Sequence, residues 1–117
     1  MSELENENMD MDLDLKESRI YEVGYHLAPI LSEETVPREV AEIMAVIQKN
    51  KGILVSEEMP KLIPLAYDLT KIIAGHKHKF EKAYFGWIKF EADPPAIIAI
   101  QQELMPKENI VRFLIVK

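Results

Sequence analysis

Four lysines and two histidines crowd a short stretch near the middle of the chain: Lys71, His76, Lys77, His78, Lys79 and Lys82, with Glu81 among them. Cations at this density suit phosphate, because each ammonium that meets a phosphodiester displaces condensed counterions. Phe85 and Trp87 follow two residues apart, the spacing that puts two rings on one face of a strand. Such rings stack on unpaired bases or anchor a partner protein, and the second use fits better here, because the glycine-aromatic signature of base-stacking sheets is missing. Lys61, Lys89 and Arg112 are further cationic candidates. His76-Lys77-His78 alone is a poor metal site: no cysteine and no suitably spaced carboxylate pair joins it. The chain also lacks a phosphate loop, a nucleophile elbow and a dinucleotide fingerprint. Catalysis, a cofactor and a small-molecule substrate are therefore not expected.

Charge is distributed unevenly. The chain of 117 residues carries a net charge of -6, and its first 17 residues hold seven acids against Lys16 alone. The remainder is formally neutral, so any polyanion must be held by local patches. In the acidic tail, Leu4, Met9, Met11, Leu13 and Leu15 alternate with acids, too few apolar groups to offset chain entropy. Residues 1–18 are expected to form a disordered acidic tail that discourages nonspecific RNA contact. There is no cysteine, no secretory signal and no long apolar span, which points to the cytoplasm and away from a membrane.

The lysines and aromatics must be positioned by the elements around them. Tyr21, Val23, Tyr25 and Leu27 alternate with Glu22, Gly24 and His26, the pattern of a half-buried strand. Val40, Ile43, Met44 and Ile47 form a helical stripe, with Thr35 as the expected N-cap and Asn50, Lys51 and Gly52 as the stop. Residues 53 to about 74 and about 79 to 92 read as a long hairpin turning through Gly75–His78. Tyr84, Gly86, Ile88 and Phe90 share one face of its second arm; Phe85, Trp87, Lys89 and Glu91 share the other. Asp93, Pro94 and Pro95 open a second helix carrying Ile97, Ile100 and Leu104, with Ile98 and Met105 widening the stripe. The last strand spans 109–117 and is apolar on both faces, which predicts an interior position. One α+β domain over 19–117 follows: a ferredoxin-like βαββαβ sandwich, four antiparallel strands with two helices on one face.

Four blocks in order, RIYEV at Arg19–Val23, LAYDL at Leu65–Leu69, YFGWIKFEADP at Tyr84–Pro94 and NIVRFLIVK at Asn109–Lys117, resemble the family of the sixth protein of the bacterial small ribosomal subunit. The resemblance implies a structural, noncatalytic protein that binds the central domain of small-subunit ribosomal RNA together with the eighteenth small-subunit protein. It adds Arg19 to the candidate RNA contacts, since family members commonly carry a basic residue there. Two arginines typical of the family align with Ile63 and Pro64, leaving Lys61 nearby, so one phosphate-contacting patch is expected to be weakened. A noncatalytic ligand-sensing or dimerisation module on the same fold is the alternative. An acylphosphatase-like enzyme ranks below both, for want of an arginine and asparagine on a phosphate-cradling loop.

Overall fold

The computed structural model describes residues 19–117; the expected acidic tail, residues 1–18, lies outside the described residues. The elements run β1 (Arg19–Leu27), α1 (Thr35–Lys49), β2 (Ile53–Ile73), β3 (His76–Ala92), α2 (Pro94–Leu104) and β4 (Ile110–Val116). The strands form one antiparallel sheet in the order β2-β3-β1-β4. This is the ferredoxin-like sandwich expected from the sequence.

Strand alternation and helical period meet in one core. β1 contributes Tyr21, Val23, Tyr25 and Leu27, β3 contributes Ile88, Phe90 and Ala92, α1 contributes Val36, Val40, Ile43 and Ile47, and α2 contributes Ile100 and Leu104. Residues of opposite parity, including Glu22, His26, Phe85 and Trp87, face away from the helices and stay partly accessible.

Several local expectations change. Thr35 is the first helical residue rather than the N-cap: Glu34 occupies that position without a side-chain cap, and Ser32 Oγ accepts the Thr35 N–H at 3.2 Å. The hairpin turn is only Ala74-Gly75, with φ of 52° and 81°. Such a two-residue turn matches the twist of the flanking strands, so pairing continues through His76, Lys77 and His78 instead of ending before them. Ile98 and Met105 are 60% and 65% exposed, so the core stripe of α2 is narrower than its apolar sequence. β4 is an edge strand, not an interior one. Its helical face packs on the core through Phe113 and Ile115, while Leu114 and Val116 stay 62% and 48% exposed on the other. Apolarity on both faces here marks a surface left uncovered within residues 19–117.

β2 is the opposite edge, and it accommodates Pro60 and Pro64, which lack a donor for a ladder. Its register against β3 shifts three times. The largest shift sets residues 65–68 opposite Glu81 alone, between the pairs Pro64↔Lys82 and Leu69↔Phe80. The LAYDL block is therefore a bulge in the ribbon. Beyond the end of β1, the hairpin leans across the sheet, and the Ala74 N–H donates to Glu108 Oε1 at 3.2 Å.

Two close approaches shape the sheet. Tyr25 is paired with Gly86, and a Cβ at Gly86 would lie 2.6 Å from Tyr25 Oη and 3.0 Å from the Glu58 carbonyl oxygen. The Tyr25 hydroxyl is buried, and that burial, with the nearby Glu57 charge second, pushes its pKa up. On the other face, Phe85 lies over Gly24 and against His26, with ring centroids 5.0 Å apart. Burial first, and the facing Arg112 second, hold the His26 imidazole below its ordinary range.

Gly86→Ala is expected to lower stability by about 1–3 kcal/mol through overpacking. The check is a lower urea midpoint with an unchanged slope. For His26, the unfolded chain takes up a proton that the folded chain resists as pH falls below the ordinary histidine value. Its stabilising effect is thus complete above that value and declines as pH drops through it toward the lowered folded value. Urea melts at about pH 7.5 and about pH 5.5 should show a loss on acidification that is smaller in His26→Asn, the change in slope across the histidine range being the readout.

Candidate RNA and protein interface

The ribbon distributes its cations by register. Lys77 lies opposite Ile72, His78 opposite Lys71, and Lys79 opposite Thr70. His78 and Phe80, two residues apart, stack with ring centroids 5.8 Å apart and planes 3° from parallel. That stack stiffens one face of the ribbon and holds His78 half-buried. The acid complement differs from the one inferred from the sequence, where Glu81 was the neighbour considered. Asp68, presented by the bulge, lies 3.4 Å from Lys79 Nζ, and Glu108 reaches the turn. Pairing in sequence space could not show either, because both depend on the bulge and on the lean of the hairpin.

The candidate cations therefore divide into groups. Lys77 is exposed at the tip and carries no ion pair among the described residues. Lys79 is partly neutralised by Asp68. Lys61 is likewise 3.5 Å from Glu58 Oε2. Lys82 is exposed opposite Pro64, at a small hollow with Leu62 and Ile63. Lys89 stands mid-sheet between Glu22 and Ser56. Arg19 opens β1 opposite Ala92 and is half-buried, far along the sheet from the hairpin tip.

Lys71 and Arg112 are brought together although 41 positions separate them in the numbering. Both line a cleft with Gln101, Met105 and Val111 at the corner between α2 and β4. Arg112 also borders a second, mainly apolar hollow of about 380 Å³ on the open face, with Glu22, Gly24, His26, Phe85, Leu114 and Val116. The leaning hairpin thus joins the basic ribbon to the β4 side of the sheet. A phosphate backbone could follow this path from Lys77 through Lys71 to Arg112.

The aromatic candidates form a different surface. Trp87 Nε1 donates to Glu58 Oε1 at 2.9 Å, and Glu58 also meets Lys61. Phe85 is fixed by His26 and Gly24. Both rings are half-buried in orientations set by neighbours, with one side toward solvent. Tyr67 was missed by sequence reasoning. It is 84% exposed in the bulge, beside Asp68. Its block read as an apolar strand, and only the three extra residues in the β2 register reveal that it projects.

Among the described residues, no group of three His, Asp or Glu could hold a metal ion, and no helix is long and apolar enough to cross a membrane.

Comparison with known proteins agrees with this architecture. The family model for ribosomal protein S6 matches residues 20–117. The small ribosomal subunit protein bS6 of Campylobacter lari is 31% identical over 99 residues, covering 85% of this chain and 73% of that protein. Its counterpart in Campylobacter jejuni is 32% identical over 97 residues, covering 83% and 71%. The crystal structure of 30S ribosomal protein S6 from Thermotoga maritima superposes with a TM-score of 0.71 at 22% identity, covering 85% of this chain and 86% of that one. At that identity the superposition speaks for the fold, while the sequence match carries the family. The chain therefore belongs to the ribosomal protein S6 family of the bacterial small subunit, whose members are structural rather than enzymatic.

Proposed function

We propose that this protein binds the central domain of small-subunit ribosomal RNA together with the eighteenth small-subunit protein, as a structural constituent of cytoplasmic ribosomes. The observation that carries the reading is the pairing of two surfaces of different chemistry, which meet at the hollow that Arg112 and Phe85 both line. Lys77, Lys71 and Arg112 lie along one path from the hairpin to the β4 corner, whereas Phe85 and Trp87 lie on the open sheet face. The first surface has the chemistry of a phosphate backbone, and the second has the anchored aromatics of a protein interface.

Within this reading, Lys77 and Lys71 contact phosphate directly, with Arg112 extending the path. Lys79, Lys82, Lys89, Lys61 and Arg19 add field strength, and the acids beside Lys79 and Lys61 reduce their share. Tyr67 offers an exposed ring for an unpaired base next to the same ribbon. The partner protein covers Trp87 and Phe85. Neither ring has to move far on binding, which limits the ordering cost of association.

Cosedimentation with small subunits across a salt series tests the function as a whole, with retention at moderate salt expected. Absence from the subunits would overturn the reading. Lys77→Glu should weaken RNA binding more than Lys79→Glu, because Lys79 already has Asp68 as a counterion. The log-log salt slope should fall by roughly one for each phosphate contact removed. Trp87→Ala should weaken the eighteenth protein by about 2 kcal/mol or more, on the order of a thirtyfold loss of affinity in calorimetry with purified proteins, while binding of RNA alone changes little.

A further inference from the structure

The leaning hairpin closes one side of a cleft that the sheet and α2 alone would leave open. The Ala74 N–H donates to Glu108 Oε1, which ties the turn to the chain between α2 and β4. Lys71 of β2 is thereby set against Gln101 and Met105 of α2 and against Val111, Arg112 and Phe113 of β4. The space between them is about 380 Å³, at the lower end of the range for sites that take one small molecule, roughly 300–1,000 Å³.

The cleft has two sides of different chemistry. On one, the half-buried Lys71 and the exposed Arg112 converge. Neither carries an ion pair among the described residues, and no acid is among the described residues that line the cleft. The fold thus keeps two like charges in one place, an arrangement that an anion between them relieves. The guanidinium adds a planar fork matched to phosphate oxygens. On the other side stand Met105, 65% exposed and outside the core, and the half-buried ring of Phe113. Gln101 lies one turn before Met105, whose N–H donates to the Gln101 carbonyl oxygen at 3.0 Å, so the two side chains leave the same flank of α2. The Gln101 side-chain amide is exposed and makes no hydrogen bond among the described residues.

We propose, resting on the RNA-binding reading above, that this cleft seats one unpaired nucleotide, with its phosphate on Lys71 and Arg112, its base against Met105 and Phe113, and a base edge on the Gln101 amide. A thioether packs favourably on an aromatic ring, and RNA bases offer their rings to protein where they are splayed out of the helix. An amide presents a donor and an acceptor side by side. The Watson–Crick edge of every base meets that pair, and the edge is free only in an unpaired nucleotide. The cleft therefore selects single strands over duplexes rather than one base over another. An acidic peptide satisfies the two cations but leaves Gln101 and the apolar wall without a planar partner. Lys77 at the hairpin tip continues the cationic path along the ribbon, as a strand running on from the cleft requires.

Methionine-methyl NMR on the full chain tests the seating, with the Met105 signal assigned by its loss in Met105→Leu. A single-stranded RNA hexamer is expected to move that signal through the ring current of the seated base. Inorganic phosphate, an acidic hexapeptide and the duplex of the same RNA are expected to leave it in place. Met105 and Gln101 are both exposed, so Met105→Ala and Gln101→Ala leave the core intact. Met105→Ala should weaken the hexamer about threefold to tenfold and leave duplex binding unchanged; equal losses for both would overturn the seating of a base. A signal moved as far by phosphate or by the peptide would overturn the nucleotide as occupant. A signal that the hexamer does not move would overturn the cleft: the RNA-binding reading survives that result if the protein still cosediments with small subunits, and falls with it if the protein does not.

Discussion

Everything in this fold depends on the burial of one face of β1. Val23, Tyr25 and Leu27 are 0–1% exposed, and the same strand carries the ladders to both β3 and β4. A one-residue slip would turn Glu22, Gly24 and His26 into the core and lose both ladders' alignment with the helices. The approach of Tyr25 to Gly86 reinforces that register, because only at a residue without a side chain can the phenol cross β3. Fixing β1 fixes the faces of β3 and β4, and with them the sides on which Trp87 and Arg112 appear.

The two candidate surfaces have different mechanical origins. Phe85 and Trp87 belong to the part of β3, Tyr84–Ala92, that pairs residue by residue with β1, so the sheet holds them rigidly. Lys77 and Lys71 belong to a ribbon that, beyond the sheet, is held among the described residues by its own ladder, the Lys79–Asp68 ion pair, the His78–Phe80 stack, the contact of the turn with Glu108 and the cleft where Lys71 meets Gln101 and Met105. A rigid aromatic face suits a protein partner of defined shape. A tethered ribbon suits RNA, whose backbone path varies more than a protein surface does. Ion pairs at the helical side, Lys49 with Glu103 and Lys107 with Glu42, tie α1 to α2 and to the start of β4. Asn109 adds a bond to Glu39 at 3.0 Å.

Alternation and helical period made the element order and core legible, because both report burial by one face at a time. The alternation from Tyr21 to Leu27 and the α1 stripe through Val40, Ile43 and Ile47 therefore appear as expected. β4 was misplaced for the same reason: a second apolar face reports that something covers it without saying whether that cover lies within residues 19–117. The bulge at residues 65–68 leaves no periodic trace, since its residues are as apolar as a strand's. Asp68 beside Lys79, Glu108 at the turn and Lys71 near Arg112 all follow from that bulge and from the lean of the hairpin. Site chemistry was thus readable as a set of residue types, while its electrostatic balance required the three-dimensional path.

The prolines of β2 carry a consequence for the protein before it meets any partner. A 21-residue edge bearing Ile53, Val55, Met59, Leu62 and Ile72 in exposed positions is a template for fibril growth. Pro60 and Pro64 each delete a donor from that template, and the register shifts around them twist its direction. An incoming chain could form only short runs of bonds before meeting an interruption. The long ribbon thus offers an incoming strand no continuous ladder even while it stands uncovered.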